Sequence, residues 1–74
     1  MITLTITPNE NIDYEKMSVI DNNLVSTRSF ERYEAIDVLE GNDFFPIRVS
    51  EVSLFDHLLV EGEKRFKILN LHWK

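Results

Sequence analysis

Ile2-Thr3-Leu4-Thr5-Ile6-Thr7 is the stretch that decides the fold of this chain. Apolar and threonine side chains alternate along it with a period of two, and the β-branched residues in it favour an extended backbone. The pattern predicts a β-strand with one buried face. Pro8 has no backbone N–H and is followed by Asn9, so the strand is predicted to end there.

Two further parts of the chain predict β-hairpins. The first joins residues 33–39 to residues 44–49 through the turn sequence Glu-Gly-Asn-Asp. The second joins residues 57–60 to residues 65–73 through Glu-Gly-Glu-Lys. Apolar runs on both sides of a glycine-containing turn are typical of paired antiparallel strands.

Single residues predict where these strands lie in the sheet. Pro46 predicts an edge strand, because proline cannot donate to a hydrogen-bonded ladder. Ile68 and Leu69 are adjacent and apolar, which favours a last strand that is covered on both faces and central in the sheet. The apolar phase slips by one residue after Ser50, so we expect a bulge or a strand break at that point.

Residues 9–30 give a weaker pattern. They favour a helical turn or loop near residues 13–17, followed by strands around Asp21-Asn22-Asn23. A single helical turn over residues 53–58 is a further option, since Ser53 and Asp56 have the spacing of a capping box.

Together these patterns predict one mainly β domain over residues 1–74. We expect a small bent antiparallel sheet or an SH3-like barrel of about five strands with one or two short helical turns. An α+β fold is the alternative. The chain has no cysteine, which excludes disulfides and thiolate zinc sites as supports for its small core.

The sequence from Glu40 to Val49 resembles one hairpin of SH3-like Tudor barrels, in which an acidic-glycine turn precedes a Trp-Tyr-Pro-Ala-x-Val strand. Phe44 and Phe45 stand in place of the two aromatic residues, and Pro46 and Val49 match the motif. The resemblance implies an SH3-like barrel. It covers ten residues and carries no functional residue over, because no complete aromatic cage can be traced.

The charge of the chain is divided between an acidic body and a basic end. Residues 1–61 contain twelve acidic and four basic residues, which gives −8, and residues 62–74 contain one acidic and four basic residues, which gives +3. The acidic body repels nucleic acid at long range, because duplex binding depends on neutralising phosphates. No basic leader, long apolar block or low-complexity tract is present, so we expect a cytoplasmic protein that does not engage a membrane.

The sequence contains no pattern that is typical of an enzyme or a cofactor site. It has no Gly-x-Ser-x-Gly elbow and only two glycines, too few for a phosphate-binding loop. His57 and His72 are fifteen residues apart and form no metal-binding motif, with or without Asp56. We therefore predict no catalytic residues, no cofactor and no metal, and a small hydrolase is the least favoured alternative.

The acidic body predicts a protein-binding surface. Acidic residues recur at every third position and are followed by two adjacent aromatic rings, one of which must face away from the core. A row of acids that mimics nucleic-acid phosphates requires this segment to be helical or strongly twisted. The protein-binding candidates are Glu31, Glu34, Asp37, Glu40, Asp43, Phe44 and Phe45.

The basic end gives the alternative, a module that binds single-stranded nucleic acid. Cations and aromatic rings are combined there. On simple alternation one face of the last strand holds Arg65, Lys67, Leu69, Leu71 and Trp73, so the cluster is not a clean stripe. The candidates are Lys64, Arg65, Lys67 and Trp73. The purely structural interpretation is that the lysines are solvent-exposed residues that maintain solubility, while Trp73 packs at the end of the core.

We thus expect a non-enzymatic protein-binding module. It would be a small inhibitor or adaptor that engages a basic protein through its acidic surface, with nucleic-acid mimicry as one form of the idea. General experience with such small domains suggests an accessory protein of a phage or mobile element. A single-strand nucleic-acid binder and a structural subunit of a homo-oligomer are the alternatives.

Overall fold

The computed structural model describes all residues from 1 to 74. Eight strands and three single-turn 3-10 helices follow one another along the chain. The strands are β1 (Ile2–Pro8), β2 (Ile12–Asp13), β3 (Ser18–Val19), β4 (Ser26–Phe30), β5 (Ala35–Glu40), β6 (Asp43–Arg48), β7 (Leu58–Glu61) and β8 (Lys64–Trp73). The 3-10 turns are Asn9–Asn11, Asn22–Leu24 and Val49–Glu51.

Six strands form one antiparallel sheet in the order β4-β1-β8-β7-β5-β6, and β2 pairs with β3 in a separate small hairpin. The prediction of a mainly β fold with a bent antiparallel sheet is confirmed. The sheet curls into a half-barrel and stays open, since its two edge strands, β4 and β6, are not hydrogen-bonded to each other. The prediction of a central last strand is also confirmed, because β8 lies between β1 and β7.

The alternation in β1 sets the core. Ile2, Leu4 and Ile6 are fully buried on the inner face, while Thr3 and Thr5 are only half-buried on the outer face. Burying an aliphatic side chain of this size contributes about 1.5–3 kcal/mol, so this strand is a main source of stability. The complete core is Ile2, Leu4, Ile6, Ile36, Val38, Val49, Leu59, Phe66 and Ile68.

A bulge interrupts β8 at Leu69. Ile68 pairs with Ile6, whereas Asn70 pairs with Thr5, so Leu69 is an extra residue in the ladder. Beyond a bulge of this kind the side chains change face. The bulge explains how two adjacent apolar residues fit one strand, a point that the sequence pattern assigned to burial on both faces.

Both predicted hairpins are present. β5 pairs with β6 through a turn that contains Gly41, and β7 pairs with β8 through a turn that contains Gly62. The two glycines have φ values of +61° and +63°, in the left-handed region that side chains disfavour. Pro46 lies in the edge strand β6 as expected, and the Val49–Glu51 turn provides the strand break predicted near Ser50.

A buried asparagine fixes the segment between β1 and β4. The Asn11 carboxamide donates to Thr7 Oγ1 at 2.7 Å and to the Asp21 carbonyl at 2.9 Å, and it accepts from the Asp21 backbone N–H at 3.0 Å. Asn11 is only 4% exposed, so these bonds replace the water that it loses on folding. They hold the turn at residues 14–17 and the β2–β3 hairpin against the sheet.

An ion pair lies across the inner face of the sheet. Arg28 of β4 donates to Glu61 of β7, with Nε 2.9 Å from Oε2 and Nη2 3.2 Å from Oε1. The guanidinium also lies 6.0 Å from the centre of the Phe66 ring. The hydrogen bond to Glu61 raises the pKa of Arg28 above its already high ordinary value, so this cation stays charged at any physiological pH.

Candidate protein-binding surfaces

The two adjacent phenylalanines of β6 face opposite sides of the sheet, as the sequence predicted. Phe45 points inward, packs against the core and meets the His57 ring edge to face with centroids 6.1 Å apart. Phe44 points outward and is 54% exposed. An aromatic ring held in an ordered strand but half exposed is a typical anchor of a protein interface.

Arg65 holds the Phe44 ring in place. Its guanidinium lies 4.6 Å from the ring centre, and its Nη1 donates to the carbonyls of Gly62 at 3.1 Å and Lys64 at 3.2 Å. A cation–π contact at an exposed site contributes about 0.5–1 kcal/mol. The contact joins β8 to β6 across the outer face and fixes the orientation of the exposed ring.

The five acidic candidates lie along the β5–β6 hairpin and the turn before it. That segment is a strand and not a helix, so side chains three residues apart face opposite sides. Asp37 pairs with Pro46 on the outer face, while Glu40 reaches the ring of His57. The structure therefore does not place all five carboxylates in one row, and the helical arrangement considered above is absent.

The remaining acids lie at the two ends of the hairpin. Glu34 Oε1 accepts from the Glu31 backbone N–H at 3.1 Å in the turn that precedes β5, and Asp43 pairs with Glu40 beside the Gly41 turn. We define the acidic hairpin face as Asp37, Asp43, Phe44 and Pro46. All four residues are exposed. Asp37, Phe44 and Pro46 lie on the outer side of the hairpin, whereas Asp43 alternates with Phe44 and stands at the end of β6, beside the Gly41 turn, on the opposite side.

The structure separates the four basic and aromatic candidates of the C-terminal strand. Lys64 and Trp73 are the first and last residues of β8, about 30 Å apart at about 3.3 Å per residue. Trp73 pairs with Ile2 beyond the bulge and so lies on the inner side, whereas Lys67 lies on the outer side, where its Nζ donates to the Leu54 carbonyl. The expectation that Arg65, Lys67 and Trp73 share one face is wrong, because the bulge at Leu69 reverses the alternation before Trp73.

His57 has both ring nitrogens bound by the protein. Nδ1 accepts from the Ser53 backbone N–H at 2.9 Å, so this nitrogen carries no proton, and Nε2 lies 2.8 Å from Glu40 Oε1. A neutral ring must then have its proton on Nε2 and donate it to Glu40. Ser53 Oγ bonds Asp56 at 3.2 Å instead of the imidazole. Serine, histidine and glutamate meet here, but the serine hydroxyl bonds Asp56 and not the imidazole, and the ring links the Ser53 backbone to Glu40 of β5.

Two concave regions lie on the surface. A cleft of about 400 Å³ is lined mostly by polar and charged residues at one end of the sheet, namely Pro8, Asn9, Glu10, Glu63, Lys64, Arg65 and Phe66. A groove of about 200 Å³ is mainly apolar and is lined by Met17, Leu54, Phe55, Lys67, Ile68 and Leu69. Neither contains a histidine, and no three potential metal ligands come together anywhere in the chain.

The sequence reasoning missed the apolar groove. Met17 is 70% exposed and Phe55 is 89% exposed, and they approach each other only because the 14–17 turn and the loop before β7 are folded against β8. Nearby, the Tyr14 hydroxyl donates to Asn9 Oδ1, and burial raises the pKa of Tyr14 above its ordinary value of 10.0. The local sequence pattern contained no signal for this groove, because only long-range contacts bring the two side chains together.

Comparison with protein-family models, with curated proteins and with solved structures gave no significant match. No helix in the structure has the length and apolar character needed to cross a bilayer.

Proposed function

We propose that this chain is a non-enzymatic protein-binding domain, a small inhibitor or adaptor that engages a basic partner through the acidic hairpin face. The observation that carries the proposal is the outward ring of Phe44. It is 54% exposed, fixed by Arg65 and accompanied by Asp37 and Asp43 on the same hairpin. An anchored aromatic ring with a charged rim is the composition of an interface hot spot.

The acidic residues and the aromatic ring of the hairpin have different expected roles. Asp37 and Asp43 speed the approach of a basic partner and orient it, while burial of Phe44 supplies most of the affinity. The charge density of the hairpin gives less support to mimicry of nucleic-acid phosphates. Glu34, Asp37 and Glu40 give one charge per about 10 Å of strand, against one per about 1.7 Å of duplex DNA.

The test compares two variants with matched substitutions. One carries Phe44→Ser with Asp43→Lys in the hairpin, and the other carries Phe55→Ser with Glu51→Lys, which changes an exposed phenylalanine and an exposed acid elsewhere. Each is used as bait for quantitative affinity capture from native lysate, after melting curves show that it is folded.

We expect one basic protein to be captured by the unmodified chain and by the Phe55/Glu51 variant, and to be lost at least tenfold with the Phe44/Asp43 variant. Capture should also weaken as salt rises, since exposed charge attraction is screened. Equal capture by all three baits, or loss with the Phe55/Glu51 variant alone, would contradict the proposal.

The proposal includes a cellular setting and leaves two alternative functions to be tested. We place the domain in the cytoplasm as an accessory protein of a phage or mobile element.

For the nucleic-acid alternative, Lys64→Glu with Lys67→Glu should abolish binding of single-stranded DNA at low salt if that activity exists. For the homo-oligomer alternative, sedimentation at high concentration decides between a monomer and an assembly.

A further inference from the structure

Six of the ten residues of β8 form an open strand edge. β7 pairs only with Lys64–Lys67, because it is four residues long and β8 is ten. The rest of β8, from Ile68 to Trp73, is paired with β1 on one side alone. We call Ile68–Trp73 the free edge of β8.

Alternate residues of the free edge direct their main-chain groups away from the sheet. Lys74 and Met1 exchange two backbone hydrogen bonds, of 2.9 and 3.1 Å, so the even-numbered residues next to Lys74 bond toward β1. The N–H groups of Leu71 and Trp73 then face outward. The Leu71 N–H is held only by Oδ1 of its neighbour Asn70, at 2.9 Å, a side chain that can swing aside.

The apolar groove lies beside this edge. Ile68 and Leu69 belong to both the groove and the free edge, and Met17 and Phe55 contribute its most exposed side chains. Its volume of about 200 Å³ is below the roughly 300–1,000 Å³ of sites that enclose a drug-sized ligand. The size suits an apolar side chain of a bound peptide.

The charges of the edge itself favour an acidic occupant. Lys67 and Lys74 flank the free edge and β8 contains no acidic residue, while beside the groove Lys16 is accompanied by Glu15 and Asp56. This contrasts with the net charge of −5 of the whole chain. Acidic side chains of a partner would be attracted here and repelled by the hairpin.

We propose that the free edge of β8 binds an extended acidic peptide segment of a partner protein, which adds a strand to the sheet and places an apolar side chain in the groove. In strand addition the main-chain hydrogen bonds supply affinity, and the pocket beside the edge supplies specificity. The site is separate from the acidic hairpin face, so either proposal can fail without the other.

The experiment uses a defined probe, the peptide Glu-Val-Glu-Leu-Glu-Val with blocked termini, and a twin in which lysine replaces each glutamate. Binding is followed by the fluorescence of Trp73, the single tryptophan of the chain, and by amide chemical shifts. Phe55→Glu places a charge at the groove, and Phe44→Glu is the matched control at the hairpin.

We expect the acidic peptide to shift the amides of Ile68–Trp73, with affinity at least tenfold weaker in Phe55→Glu and unchanged in Phe44→Glu. A melting curve confirms that each variant is folded. The proposal is overturned if the acidic peptide does not bind at millimolar concentration, if its lysine twin binds equally well, or if the shifts map to β4 or β6. A dimer of the unmodified chain that Phe55→Glu dissociates would also overturn it, because the occupant would then be a second copy.

Discussion

The acidic hairpin face and the free edge of β8 both combine a strand edge with an exposed phenylalanine, but they offer different chemistry. The β6 edge contains Pro46, which removes a donor and weakens main-chain pairing, so this region can bind chiefly through the Phe44 side chain. The β8 edge contains no proline and has a groove beside it. The comparison teaches that one sheet can present two edges with opposite charge and different modes of recognition.

The largest expected effects are losses of folding stability when a core residue beneath each region is truncated. Ile68→Ala removes a buried side chain beneath the free edge, and Ile36→Ala does the same in the hairpin strand β5. Each should lower the free energy of unfolding by about 2–5 kcal/mol. We expect the larger loss for Ile68→Ala, because Ile68 is 1% exposed against 7% for Ile36 and β8 lies at the centre of the sheet. Urea denaturation measures both losses, and the reverse order would contradict the assigned core.

Asn11→Ala should destabilise the segment that contributes Met17 to the groove and leave the stability of the β5–β6 hairpin unchanged. It removes the side-chain partner of the Asp21 backbone N–H and of the Asp21 carbonyl, which costs about 1–3 kcal/mol, while the Thr7 hydroxyl still donates to the Leu24 carbonyl. Hydrogen exchange should accelerate through residues 12–24, including Met17, while β5 and β6 stay protected. Asn70→Ala is the control, since Asn70 is exposed and its loss should leave the protection of residues 12–24 unchanged.

His57→Phe should loosen the connection between the two regions. The imidazole joins Glu40 of the hairpin to the loop that carries Phe55, and a phenyl ring is aromatic but larger and cannot accept from the Ser53 N–H. The expected loss is about 1 kcal/mol, at the low end for an unpaired donor because water can reach this loop.

Two measurements check the role of His57. In the unmodified protein near neutral pH, the nitrogen-15 spectrum of the ring should show an unprotonated Nδ1 and a protonated Nε2. Glu40→Gln should change stability less than His57→Phe, since glutamine still offers an acceptor to Nε2. A proton on Nδ1 of the neutral ring would be inconsistent with the assigned hydrogen bonds.

The smallest expected effect is on the orientation of the Phe44 ring in the hairpin. Arg65→Gln removes the cation above the Phe44 ring and should cost about 0.5–1 kcal/mol. The Phe44 ring should then show faster side-chain motion by NMR relaxation, while peptide binding at the free edge stays unchanged. Lys64→Gln removes a neighbouring charge without touching the ring, and equal ring mobility in the two variants would show that Arg65 does not fix Phe44.

Local patterns were enough to predict much of the fold. The alternation from Ile2 to Thr7 predicted β1, glycine-centred turns predicted both hairpins, and Pro46 predicted an edge strand. The prediction failed at the end of β8, where Trp73 faces the inner side. A bulge shifts the register by one residue, and nothing in the local pattern shows on which residue it falls.

The sequence by itself determined the strands, the turns and the division of charge, because these depend on neighbouring residues and on their order along the chain. The tertiary structure alone decided that Phe44 faces outward, that His57 joins two regions, and that part of β8 has an open edge beside a groove. Each of these depends on pairings between distant segments. Strand length illustrates the point: β7 ends after four residues and leaves the longer β8 uncovered, a mismatch that appears only when the two strands lie side by side.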